Sequence, residues 1–232
     1  ADNACGYSNM VVFLNQDTVE DISDLCSSAL SNCHGGTYRG YERYSYSGII
    51  HIPGPCSRWT FSHTESSRSS EITTINLNQN LYVYADLNNS VLDHSSPEFL
   101  AVAIPNSCIN QNYCITNTAF GSANDSLVYR LIDPLRNSGT AVNYHTGYSA
   151  TQPVSGVVVF DTLTGTLCVN DPQSEVGVFA VEVKQYINGQ YMGRVIRDLS
   201  LMVSACTNAL PSNSGFDGTT SHTTNACVAY NN

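Results

Sequence analysis

Residues 175–204 read EVGVFAVEVKQYINGQYMGRVIRDLSLMVS, two long runs that meet at Asn188-Gly189. Successive side chains of a strand point to opposite faces, so a period of two lets each run hide one row. Asn-Gly accepts the positive φ values that a two-residue hairpin turn requires. The pattern predicts strands over 175–187 and 191–204. Val181 and Val183 then face one way and Glu182 and Lys184 the other, while Leu199, Leu201 and Val203 continue one face of the return strand. A hairpin of this length needs further strands beside it and a layer on its apolar side.

The rest of the chain supplies them. YERYSYSGIIHI (41–52), SRWTFSH (57–63), SSEITTINL (69–77) and NLYVYADL (80–87) alternate in the same way. Trp59 and Phe61 share a face, and Asn78-Gln79 reads as a turn between the last two runs. Further strands are expected over 98–104, 112–117, 126–132 and 156–160. One helical turn or two is expected within TVEDISDLCSSAL (18–30), capped by Thr18 or Asp21. Many strands, few helices and frequent turn residues predict an all-β chain of tandem antiparallel sandwiches. The expected divisions are 1–94 for a first sandwich, 95–206 for a second, and 207–232 for a Ser/Thr/Asn-rich linker or the opening of another domain.

Nine cysteines are scattered without the paired CxxC spacing of a zinc site, which points to disulfides and an oxidising compartment. Connectivity stays open. The pairings expected are Cys26–Cys33, a local loop closure, and Cys114–Cys168, across the second domain. An odd count leaves one thiol free, joined to another molecule, or paired outside this segment. The start at Ala1-Asp2, without an initiator Met or signal peptide, suggests a processed or truncated product. Net charge is −10 with few Lys and Arg, which makes nucleic acid and anionic membranes poor partners. No apolar run reaches the ~20 residues needed to span a bilayer as a helix.

The motifs with chemical content are sparse. Asn124 and Asp125 precede the strand SLVYRLI and can donate oxygens to calcium, although a single carboxylate is few for an ion that takes six to eight ligands. A side-chain-to-backbone turn is the competing reading. Asp161 and Asp171-Pro172 also mark turns. Arg197 and Asp198 point to opposite faces of one strand, so one is expected to be covered and to bridge to another strand. The six histidines show no HxxxH or HExxH spacing, and neither a GxSxG elbow nor a phosphate loop occurs. A glycosidase needs two carboxylates facing across a cleft, and sequence separation alone does not exclude one. Tyr44 and Tyr46 alternate on one strand face and offer a surface for sugar rings or another protein.

The order CHGGTYRGYERYSYSGIIHIPGPCSRWTFSH (33–63), ITTI (72–75), LYVYADLNNS (81–90) and SSPEF (95–99) continues into DSLVYRLIDPL (125–135). It goes on through GTAVNYHTGYSATQP (139–153) to GVFAVEVKQYINGQYMGRVIRDLSLMVSAC (177–206). This order resembles the ectodomain repeats of Bacteroidetes cell-surface adhesins, a group that includes SprB-like gliding-motility proteins. The resemblance implies cadherin-like or immunoglobulin-like sandwiches, export to the outer surface, and a mechanical or adhesive role without catalysis. The chain departs from the family at two places. An acid-rich loop usually precedes DSLVY, and only Asp125 of that set is present; a Cys-Cys-Arg-Asn element usually follows the Trp strand, and only Arg68 is kept. The first domain also starts partway through the pattern, so an edge completed by a neighbouring subunit is expected.

Asp17-Thr18-Val19, Asp125-Ser126-Leu127 and Asp161-Thr162-Leu163 resemble the O-glycosylation pattern of that phylum, with Thr18, Ser126 and Thr162 as acceptors. The reading that follows is a secreted or surface-anchored segment of an adhesin or filament. Its expected partners are neighbouring copies or flanking domains and a glycan or surface target, and no cofactor beyond calcium is expected. The alternative is a carbohydrate-binding or hydrolytic module of a secreted enzyme.

Overall fold

A computed structural model describes residues 2–23, 25, 29–100, 105–122 and 125–206. The chain divides into two compact units, residues 1–13 with 49–204 and residues 14–48 with 205–232. The described part is all-β with several sheets and disulfide bonds.

The larger unit is built on a sheet in which β1 (Asp2–Asn3), β4 (Trp59–Glu65), β5 (Leu81–Leu87), β16 (Gln190–Ser204), β15 (Glu175–Ile187) and β10 (Asp125–Ile132) follow one another. A short pair, β11 (Leu135–Asn137) and β12 (Thr140–Ala141), joins at β5, and β7 (Asn106–Cys108) runs parallel to β16. A separate sheet holds β13 (Val157–Phe160), β14 (Leu167–Asn170) and β8 (Tyr113–Ile115), and β6 (Glu98–Phe99) pairs with β9 (Ala119–Phe120). In the smaller unit β2 (Asn15–Asp21) pairs with β3 (Glu42–Ser47).

The Asn-Gly hairpin forms as its residues predict. Asn188 and Gly189 take φ of 52° and 78°, and the β15–β16 register runs from Ile187↔Gln190 to Glu175↔Val203 with one irregularity at Gln185/Tyr186. The apolar row of this hairpin faces the three-stranded sheet. Phe179, Val181 and Val183 of β15 and Leu201 and Val203 of β16 pack with Ile115, Leu167 and Val169, all nearly inaccessible. Each such side chain contributes roughly 1.5–3 kcal/mol through removal from water. The opposite face of β15 is covered too, because Val178 packs with Ile72, Ile75 and Val142 from two connecting segments. At the far edge, Tyr7 stacks on the buried Trp59 with ring centroids 5.3 Å apart, and a Cys5–Cys56 disulfide pins the same N-terminal stretch.

Three expectations are corrected. Residues 69–77 are not a strand paired with 80–87. Ile72 and Ile75 both turn inward at a spacing of three, while the backbone bonds go to Val176 and residues 143 and 145. Within 18–30, Thr18–Asp21 belongs to strand β2, because cross-strand pairing with Glu42–Ser45 outcompetes a local helical turn; residues 24 and 26–28 lie outside the described residues. The boundary at 94/95 does not divide the chain, since β4 and β5 lie in the same sheet as β10, β15 and β16. The linker expected over 207–232 lies outside the described residues.

One ion pair locks the crossing segment to the sheet. Arg68 donates from both terminal nitrogens to Asp198, each at 2.6 Å, from Nε to Asn80 O, and from Nη2 to Leu135 O. Only 3% and 2% of the two side chains are accessible. Burial pushes the Asp198 carboxyl above its ordinary range against the pull of the guanidinium, so removing Arg68 leaves a charge with neither water nor partner. Arg68→Met should cost about 3–5 kcal/mol of unfolding free energy in urea titrations, and adding Asp198→Leu should recover most of it. An additive double mutant would show that the pair does not act as a unit.

Candidate functional site

The strongest meeting of acids lies where β14 passes into β15. Asp171 directly follows β14 and Glu175 opens β15; they are 1% and 6% exposed. Glu175 accepts hydrogen bonds from Ser155 N on one oxygen and from the Tyr148 hydroxyl, at 2.6 Å, on the other. Asp171 Oδ1 accepts from Ser155 Oγ at 3.0 Å and Gln173 N at 3.2 Å, whereas Oδ2 is buried with no conventional donor. Ser155 bridges the two carboxyl groups, its N–H donating to Glu175 and its hydroxyl to Asp171. Two buried carboxylates bridged by one serine cannot both ionise cheaply, which favours a proton on Asp171.

The acid strengths split accordingly. Burial, then the bond to Glu175, raises Asp171 from 3.8 to about 6. Glu175 is held below its ordinary range by its bonds to Asp171, Ser155 and Tyr148, which outweigh burial. Tyr148 is pushed up to about 12, first by its bond to Glu175. Divergent acid strengths in adjacent carboxyls are what acid–base catalysis requires. Here, however, both Glu175 oxygens and one of Asp171 are taken by donors of the same chain. Sequence reading placed Asp171 in a turn and gave no sign of Glu175 as its neighbour, which only the close return of β15 creates.

A second set of charges crosses the large sheet on the face away from the three-stranded sheet. Arg194 donates from Nε to Asp86 Oδ2 and from Nη1 to Glu182 Oε2, both at 2.7 Å, and its guanidinium lies 4.7 Å from the Tyr84 ring centre. Lys184 Nζ is 3.4 Å from Glu182 Oε1, and Thr60 Oγ1 donates to Asp86 Oδ1 at 2.7 Å. Two acids and two bases balance, so the row is a closed ionic zipper over β4, β5, β16 and β15. The alternation placed Glu182 and Lys184 together on this face, but their partners come from strands far away in sequence.

The residues singled out from the sequence are dispersed. Asp125 caps its own turn, with Oδ2 accepting from Ser122 N at 2.6 Å; Asn124 lies outside the described residues. Among the described residues no group of three or more His, Cys, Asp or Glu side chains could hold a metal ion. Cys114 and Cys168, opposite each other on β8 and β14, are joined by a disulfide. Cys33 is an exposed free thiol, so the expected closure with Cys26 is not made; Cys26 lies outside the described residues. Cys108 and Cys206 are also disulfide-bonded. Tyr44 and Tyr46 are 51% and 53% exposed beside Val19, which is opposite Tyr44 on β2. Thr18 lies in β2, Ser126 in β10, and Thr162 in the turn that Asp161 caps through Leu163 N at 2.9 Å and Thr164 Oγ1 at 2.7 Å. Arg197 and Asp198 do point apart, Asp198 to Arg68 and Arg197 over the Phe99 ring at 4.2 Å.

Because Asp171 is raised in the folded state, its stabilising contribution is complete below pH 3.8 and fades as pH rises through about 6. Asp171→Asn keeps a donor toward Glu175 without the titration. Urea midpoints of the parent protein should therefore fall between pH 4 and 7 relative to those of Asp171→Asn, and parallel pH profiles would refute the proton on Asp171. No protein-family model matches this chain, and no curated protein matches it.

Proposed function

We propose that this chain is a non-enzymatic, disulfide-containing segment of a secreted or surface-anchored bacterial adhesin or filament, of the kind found in gliding-motility adhesins. Its sheets form immunoglobulin-like or cadherin-like sandwiches, and its surface loops and faces meet neighbouring copies or a glycan target outside the cell. The observation that supports this reading is how its buried charges are used. Asp198, Asp86 and Glu182 are each bound to an arginine of the same chain, and Ser155 bridges Asp171 and Glu175. Such pairing resists separation of strands rather than presenting a reactive group. The 13- and 15-residue antiparallel pair and the cross-strand Cys114–Cys168 link suit the same mechanical task.

A second reading has one observation in its favour. The split acidities of Asp171 and Glu175 fit a hydrolytic module if the turn around Ser155 and Tyr148 opens to a glycan. Electron microscopy of native material should show ordered fibres or surface projections that contain this chain. Isolated particles that hydrolyse oligosaccharides, with activity abolished by Asp171→Asn, would replace the adhesin reading with the hydrolytic one.

A further inference from the structure

The Cys114–Cys168 disulfide lies on the outer side of the three-stranded sheet. Ile115, Leu167 and Val169 turn into the core, and alternation sends their neighbours Cys114 and Cys168 the other way. Cys114 is exposed and Cys168 half-buried. Cys5–Cys56 is the opposite case, since Cys56 is 1% exposed. A thiol reaches an exposed disulfide directly, whereas a buried one waits for the structure around it to open.

Opening this bond leaves the strands in place. Cys168 and Cys114 are partners in the β14–β8 register, with Cα atoms 4.0 Å apart, and Leu167↔Ile115 and Val169↔Tyr113 pair on either side of them. The ladder and the inward side chains keep two freed sulfurs facing each other. Access to the two differs. Among the described residues no strand pairs with β8 on the side away from β14, so Cys114 stands at an open edge. Behind Cys168 is Val159, its partner on β13. A thiolate displaces a disulfide sulfur from the side opposite the bond that breaks, which makes Cys114 the open target and Cys168 the leaving group. The other outward side chains here are Val157, Val159 and the hydrogen-bonded pair Asn170 and Asn112. None is ionised, so in a chain of net charge −10 this face does not repel an anionic thiolate.

We propose that Cys114–Cys168 is an exchange site for low-molecular-weight thiols. The incoming thiolate forms a new S–S bond to Cys114 as the Cys114–Cys168 bond breaks, and the electron pair of that bond leaves on Cys168 as a thiolate. One disulfide replaces another, so neither oxidant nor reductant is consumed in this step. Cys168, still opposite, attacks Cys114 in the reverse step and expels the thiol. The face thus gains and loses a covalent adduct while the sheet stays formed. The assignment stands independently of the adhesin reading.

The test uses the full chain under native conditions. Free thiols are blocked with N-ethylmaleimide, reduced glutathione is added in excess, and the reaction is quenched with acid at early times and mapped by mass spectrometry. Glutathione should appear on Cys114 and a new thiol on Cys168, about tenfold or more faster than Cys5–Cys56 opens, with the circular dichroism of the folded chain unchanged. Removing glutathione should restore the Cys114–Cys168 bond. Val159→Ala clears the approach behind Cys168 and should move part of the adduct to that residue. Opening only in denaturant, loss of the folded signal on opening, or equal rates at the two disulfides overturns the site. An adduct chiefly on Cys168 in the parent protein overturns Cys114 as the target.

Discussion

Strand β15 is covered on both faces, and most of the larger unit follows from the need to cover it. One face presents Phe179, Val181 and Val183 to the three-stranded sheet; the other presents Val178 to Ile72, Ile75 and Val142. A polar group on such a strand is costly unless it finds a partner, because little water reaches either side. Glu182 therefore requires Arg194, and Gln185 requires Ser95 and Asp125. The polar chemistry of the unit is a consequence of its burial.

The connecting segment over the second face is held by Arg68 rather than by strand pairing. Its guanidinium ties Asn80, Leu135 and Asp198, so one side chain fixes two connections against β16. Disulfides act at other places: Cys5–Cys56 anchors the N-terminal stretch beside Trp59, and Cys114–Cys168 joins two strands of the smaller sheet. Cross-links over separations of 51 and 54 residues act mainly by restricting the unfolded chain, whereas the ion pair acts on the folded one.

Legibility differed with the range of the interaction. The hairpin, the runs at 81–87, 125–132 and 157–160, and the opposed directions of Arg197 and Asp198 were readable because alternation and Asn-Gly geometry are local properties. SSEITTINL shows how that reading fails. Its alternation is good, yet packing against Val178 selected Ile72 and Ile75, which no strand places on one face. The turn role of Asp125 was legible from Asn-Asp-Ser. Its contact with Gln185 was not, since nothing near either residue encodes the register that brings them together.

The sequence by itself determined that the chain is a set of strands, where its longest hairpin turns, and that its cysteines lack the paired spacing of a zinc site. Tertiary structure alone decided the order of strands in each sheet, the union of residues from both sides of 94/95, and the meeting of Asp171 with Glu175. Backbone hydrogen bonds are the same at every residue, so a strand carries little record of its distant partner. Which acids and amides become neighbours depends on that pairing, and the chemistry at each such place is settled only once the sheets have formed.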